Sequence, residues 1–180
     1  MVDTFLPDGY REVEDYMSFA PGANKLRILS SAIVGWEYWN DEDGKRKAYR
    51  KRLDEDLIIS EIQEPEKVKK FWAFVVWNYS DEAIQILEIT QKGIRKDITG
   101  YINNKKFGSP VNKYDLTITR EGTGLLTKYA VQADPPEATD KKITEALKAK
   151  FVNLDALFSG GNPFIKQEMN EKVNPDDIPV

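Results

Sequence analysis

Lys45, Arg46, Lys47, Arg50, Lys51 and Arg52 place six cations in eight positions of the stretch "KRKAYRKR". Such a cluster is suited to neutralising phosphates, and counterion release would make that binding weaken steeply with salt. Six acids bracket it, Asp41-Glu42-Asp43 and Asp54-Glu55-Asp56, so Asp41 to Asp56 is neutral as a whole. The second chemistry-bearing set is aromatic. Trp36, Tyr38 and Trp39 stand just before the cations, and Phe71, Trp72, Phe74, Trp77 and Tyr79 crowd the run "FWAFVVWNY". A base stacked on an exposed ring contributes roughly 1–3 kcal/mol without reading sequence. Arg27, Lys69 and Lys70 add charge beside the same runs; core packing claims about half of the rings, and the six clustered cations, these three and Trp36, Tyr38, Trp39, Trp72, Trp77 and Tyr79 are the candidates for contact with a single-stranded nucleic acid.

Other chemistry is poorly provided for. The chain has no cysteine and no histidine, which removes disulfides, thiol nucleophiles and the Ser/His triad. No phosphate-binding glycine loop, HExxH or EF-hand pattern occurs. The two acid triplets could hold a hard cation, but adjacent acids in a polar loop are ordinarily solvated. The expectation is a non-catalytic protein with no cofactor and no metal, and a metal-dependent nuclease is the weakest of the alternatives.

The net charge of −4 is unevenly spread. Residues 1–21 carry one base and five acids, residues 22–130 nineteen bases and sixteen acids, and residues 131–180 six bases and nine acids. A basic middle lies between acidic ends. No apolar run is long enough to span a bilayer, and Met1 to Tyr10 has neither a basic start nor an apolar stretch for secretion, so a cytoplasmic protein with no membrane partner is expected.

The elements that would position these residues are mostly strands. Residues 1–15 read as an N-terminal arm. "YMSF" reads as a short strand, "APGAN" as a turn, and "KLRILSSAIVGWEYW" as a long strand with Leu26, Ile28, Ala32 and Val34 on one face and Lys25 and Arg27 on the other. The cationic stretch reads as a long loop around Gly44, leading to a strand near Leu57 to Ser60. "KKFWAFVVWNY" and "AIQILEITQ" read as a central hairpin. Ile94, Ile98 and Ile102 recur at helical spacing, and "KYDLTITREGTGLLTKYAVQA" gives two strands about a Gly122/Gly124 turn. Ile143, Leu147, Phe151 and Leu154 fall on one stripe of a helix that Thr139 could cap.

Strand, long loop, strand, hairpin, helix and two strands predict a mainly β fold: an OB-fold-like five-stranded barrel over 16–133 with an interposed helix. A C-terminal helix over 134–159 and a flexible acidic tail over 160–180 follow. An α+β sheet is the alternative. The run "FWAFVVWNY" is apolar or aromatic on both faces, so its outward rings must meet the extra helix, a partner or stacked bases.

The chain's last residues, "DDIPV", resemble the C-terminal tip of bacterial single-stranded DNA-binding proteins, in which consecutive aspartates precede Ile-Pro-Phe and dock replication and repair partners. Asp176, Asp177, Ile178 and Pro179 match that tip, and Val180 replaces its aromatic end. The segments "NKLRILSSAIVGWEYW", "FWAFVVWNY", "QILEITQKGI" and "YDLTITREGTGLLTKYAV" are similar to the single-stranded DNA-binding proteins of tailed bacteriophages, over about Tyr16 to Val131. That resemblance implies an OB-fold coating single-stranded DNA in phage replication or recombination in the host cytoplasm. It implies a tail recruiting replication or recombination proteins, and self-association on DNA is a further possibility to be tested. Some phage relatives carry a zinc site, which a chain without Cys or His lacks. The rival of another class is a protein–protein adaptor that uses the aromatic surface and the C-terminal helix.

Overall fold

The structure, a computed structural model, describes residues 5–8, 10–107 and 111–166. The chain is mainly β, with seven strands in one antiparallel sheet. In chain order these are β1 (Gly22–Ile28), β2 (Ile33–Glu42), β3 (Lys45–Arg52), β4 (Lys69–Asn78), β5 (Ala83–Ile89), β6 (Asp115–Glu121) and β7 (Lys128–Ala133). Helix α1 (Lys92–Ile102) stands between β5 and β6, and α2 (Lys141–Ala149) and α3 (Ala156–Ser159) follow the sheet.

Strand β4 is the centre. It carries β5 along one edge, and along the other β2 and then β1. The register runs from Ile28 opposite Val76 to Ile33 opposite Ala73, so β1 and β2 are two halves of one run bent by two extra residues. A bulge of this kind increases local twist. Leu29 N donates to Val75 O and Val75 N donates to Ser30 Oγ, which pins the bend to β4. Strand β6 pairs with the β1 half and β7 with β6.

The inner face rolls around Leu26, Ile28, Phe74, Val76, Leu87, Ile89, Leu116 and Ile118, closed by Ile94 and Ile98 of α1. Among the described residues β5 and β7 do not pair, so the sheet is open where a closed five-strand barrel was expected. The outer edge of β5 is instead occupied by the arm, where Met17 N donates to Ile86 O and Ile86 N donates to Asp15 O. The outer edge of β7 faces α1, whose Tyr101 Oη donates to Val131 O.

The outer face of β4 and β5 is covered by residues 141–166. Ile143 of α2 packs on Val75, Trp77 and Ile84, and Leu157 of α3 packs with Val152, Leu154, Phe158 and Phe164 on Phe71, Ala73 and Ile86. Burying a side chain such as Leu157 contributes roughly 1.5–3 kcal/mol. The single C-terminal helix expected over 134–159 is two helices separated by irregular chain. Asp140, not Thr139, caps the first, its carboxylate accepting from Lys142 N, and Phe151 stands exposed rather than on the buried stripe. The strand expected near Leu57 to Ser60 is one 3-10 turn, Ile59–Glu61.

Candidate nucleic-acid interface

The cationic stretch is a strand, not the expected loop. Asp43 and Gly44, with φ of 50° and 76°, form the two-residue turn between Glu42 and Lys45. Two left-handed central residues match the twist of antiparallel strands. Strand alternation then separates the cations by type: Lys45, Lys47 and Lys51 share one face of β3, and Arg46, Arg50 and Arg52 share the other.

The lysine face continues the inner side of the sheet. Trp36 of β2 stands opposite Lys51 of β3 on one side and Lys70 of β4 on the other. The Lys70 ammonium lies 5.3 Å from the Trp36 ring centroid. Among the described residues, no carboxylate lies within ion-pair distance of Lys45, Lys51, Lys69 or Lys70. Farther out, Tyr38 and Tyr49 stack at 5.3 Å with planes 10° apart, and Lys47 Nζ lies 5.1 Å from the Tyr49 ring and 3.7 Å from Glu42. The chain returning from β3 to β4 crosses here. Asn40 Nδ2 donates to Glu61 O and Gln63 N donates to Asn40 Oδ1.

The arginine face is occupied by acids. Arg50 donates a fork to Glu88, Nε to Oε1 at 2.7 Å and Nη2 to Oε2 at 2.9 Å, and its Nε is also 3.1 Å from Glu37. Burial first, then the shared hydrogen bond and the negative charge of Glu88, push Glu37 up to about 8, against the pull of Arg50. Glu88 is held low: its burial is outweighed by the hydrogen bonds from protonated Glu37 and from Arg50. Arg52 is 3.5 Å from Asp155, and Arg46 is 3.7 Å from Asp41 and 3.5 Å from Glu64. Trp39 is 41% exposed and donates its Nε1–H to Glu37. With Arg46, Lys67, Lys69 and Thr90 it lines a cleft of about 360 Å³.

Three candidates turn out to be interior residues. Arg27 is buried, donating Nε to Asp115 Oδ1 at 2.7 Å and Nη1 to Thr139 Oγ1 and Glu137 O. Tyr38 and Trp77 are also buried, Trp77 beneath α2. No ring or guanidinium in such a position can meet a base or phosphate without rearrangement. Tyr79 is half-buried and donates its hydroxyl to Asp115; burial and that bond raise its pKa. Trp72 is half-buried against the inner core. The tail residues Asp176, Asp177, Ile178, Pro179 and Val180 lie outside the described residues.

Tyr49, Lys67 and Glu37 belong to this region and sequence reasoning passed over them. The Asp43-Gly44 dipeptide was the signal that would have placed Tyr49 on a strand beside Tyr38. Among the described residues no three acidic side chains converge as metal ligands, and no helix is long and apolar enough to cross a membrane. No protein-family model matches the sequence, and no curated protein or solved structure is significantly similar to it.

Proposed function

We propose that the protein binds single-stranded DNA without sequence preference, through the lysine face of the β2–β3 hairpin and its junction with β4. The observation that carries this reading is Trp36 set between Lys51 and Lys70, neither of which has a carboxylate within ion-pair distance among the described residues. A ring supplies stacking and the flanking ammoniums supply phosphate contacts, the combination used by sequence-tolerant single-strand binders. Trp39 in its cleft with Lys67 and Lys69 is a second platform on the opposite face of the hairpin.

The connectivity supports an OB-type reading of the fold: a long bent strand, the edge strand β3 as an insertion paired to it, two further strands β4 and β5, a helix, and a hairpin whose first strand returns to the bent one. On this reading the open β5–β7 seam is where an OB barrel would close. The class proposed is that of phage single-stranded DNA-binding proteins acting in replication or recombination, with the acidic C-terminal residues as the handle for protein partners. The adaptor alternative is less supported, because the outward rings of β4 already lie under residues 141–166.

A fluorescence titration with oligo-dT, oligo-rU and duplex of equal length tests the proposal. Single strands should quench tryptophan emission and bind more tightly than duplex, and Trp36→Ala should weaken binding by roughly 1–3 kcal/mol. Equal affinity of the native protein and Trp36→Ala, or no binding at low salt, would overturn it.

A further inference from the structure

The sheet ends on β7, which has no strand along its outer edge among the described residues. Successive residues of an antiparallel strand turn their N–H and C=O groups to one neighbour and then to the other. Val131 O accepts from Tyr101 Oη of α1, while Asp134 N donates to Asp115 O of β6. The odd-numbered residues of β7 therefore face outward, which leaves the N–H groups of Tyr129, Val131 and Ala133 without a partner among the described residues. Sheet edges are ordinarily blunted by charge, proline or a bulge. The opposite edge strand, β3, carries six cations, and the edge of β5 is occupied by the arm. Strand β7 carries Lys128 as its one charge and no proline, Pro135 and Pro136 following only after its end.

A second β7 is complementary to this edge. With a two-fold axis at Val131, Val131 faces Val131 of the second copy, Tyr129 faces its Ala133, and Lys128 faces its Asp134. Outward-facing residues then meet outward-facing residues, as the ladder requires, and the whole strand is paired up to Pro135. Both faces agree with this register. On the inner face Tyr129, Val131 and Ala133, half-buried against the core, meet only one another. On the outer face an ammonium stands opposite a carboxylate, twice by symmetry, in the kind of pair that lacks backbone bonds and brings side chains closest. Both charges are available for it. Lys128 stands opposite Glu121 on β6, yet among the described residues no carboxylate is within ion-pair distance of its ammonium. The Asp134 side chain is 46% exposed and 4.0 Å from Lys25, which sits closer to Asp115.

The edge also has room. A cleft of about 530 Å³ lies between α1 and β7, lined by Lys96, Gly100, Tyr101, Tyr129 and Val131 among others. Gly100 presents no side chain there, and Val131 O keeps a second lone pair beside the Tyr101 bond.

We propose that two copies of this chain pair through β7, antiparallel about a two-fold axis at Val131, to form one sheet continuous across both. The contact is isologous, so it closes at a dimer. Strands β2 and β3 lie at the other end of the strand order, which keeps the lysine faces clear of the joint, and the association does not depend on nucleic acid.

Sedimentation velocity of the full chain over a concentration series, without nucleic acid, is the test. The native protein should pass from monomer to dimer and no further. Lys128→Glu sets acid against acid at both ends of the ladder and Asp134→Lys sets base against base, so each should weaken the dimer roughly tenfold or more. An equimolar mixture of the two variants should dimerise about as tightly as the native chain, because in the mixed dimer every acid again faces a base. Should either variant lower the urea midpoint, the chain carrying both substitutions, which restores both pairs, takes the place of the mixture and should dimerise like the native protein. A native protein that stays monomeric or grows beyond a dimer, single variants that dimerise like the native chain, or restored pairs that leave the protein monomeric would each overturn the proposal. None of these outcomes alters the DNA titration.

Discussion

Arg27 on β1 and Asp115 on β6 meet 2.7 Å apart across paired strands, both buried, and the same carboxylate accepts the Tyr79 hydroxyl at 2.8 Å. Removing one partner of a buried pair leaves the other charged and desolvated, which costs about 3–5 kcal/mol. Asp115→Ala should therefore lower the urea midpoint sharply with little change in slope. Arg27→Met should cost less, because Lys25 and Tyr79 still attend Asp115.

The cations should differ in their effect on binding according to whether an acid already holds them. The Lys51→Ala, Lys70→Ala double variant should reduce the slope of log affinity against log salt by about 0.7 for each lost phosphate contact. Arg52→Ala, whose guanidinium already meets Asp155, should leave that slope nearly unchanged. Equal slopes for the native protein and the double lysine variant would remove the lysine face from the DNA path.

Glu37 gives the fold a pH dependence. Its pKa is raised by folding to about 8, so the native state keeps a proton that the unfolded chain releases above the ordinary carboxylate range. Stability is full below that ordinary range and is lost as pH rises toward about 8, beyond which the loss is complete. Glu88, held low, acts only at the acid end. Glu37→Gln keeps an N–H donor for Glu88 but cannot ionise. Urea midpoints between about pH 5 and 8 should fall for the native protein and stay flat for the variant.

Gly35 sits where three groups converge. A Cβ there would lie 2.3 Å from Lys51 O and 2.9 Å from both the Phe71 and Phe158 rings. Gly35→Ala should cost roughly 1–3 kcal/mol by overpacking. Phe158 belongs to the covering segment, so limited proteolysis should cut residues 141–166 faster in the variant than in the native protein.

Ending the chain at Asp140 would uncover Phe71, Val75, Trp77, Ile84 and Ile86. Such a contiguous apolar face drives aggregation. The shortened protein should bind a hydrophobic dye strongly and precipitate, whereas the full chain should stay in solution and bind the dye weakly.

The sequence by itself determined the mainly β class, the central hairpin around "FWAFVVWNY", helix α1 and the strands flanking Gly122 and Gly124. In each, local periodicity and turn residues agree with the final packing. It also required that both faces of β4 be covered, because neither face offers water a polar surface. What covers them was decided by the tertiary structure, which laid residues 141–166 over the outer rings. The same holds for the charges. Whether Arg27, Arg50 and Arg52 are free depends on Asp115, Glu88 and Asp155, which lie 88, 38 and 103 residues away in the chain. Composition counts such cations alike, but an arginine folded against a carboxylate has already spent its charge. Strand β3 lay between the two cases: its Asp43-Gly44 turn is local and legible, yet that its Lys51 lies beside Trp36, with no carboxylate in ion-pair distance among the described residues, was set by the register of β2 between β3 and β4.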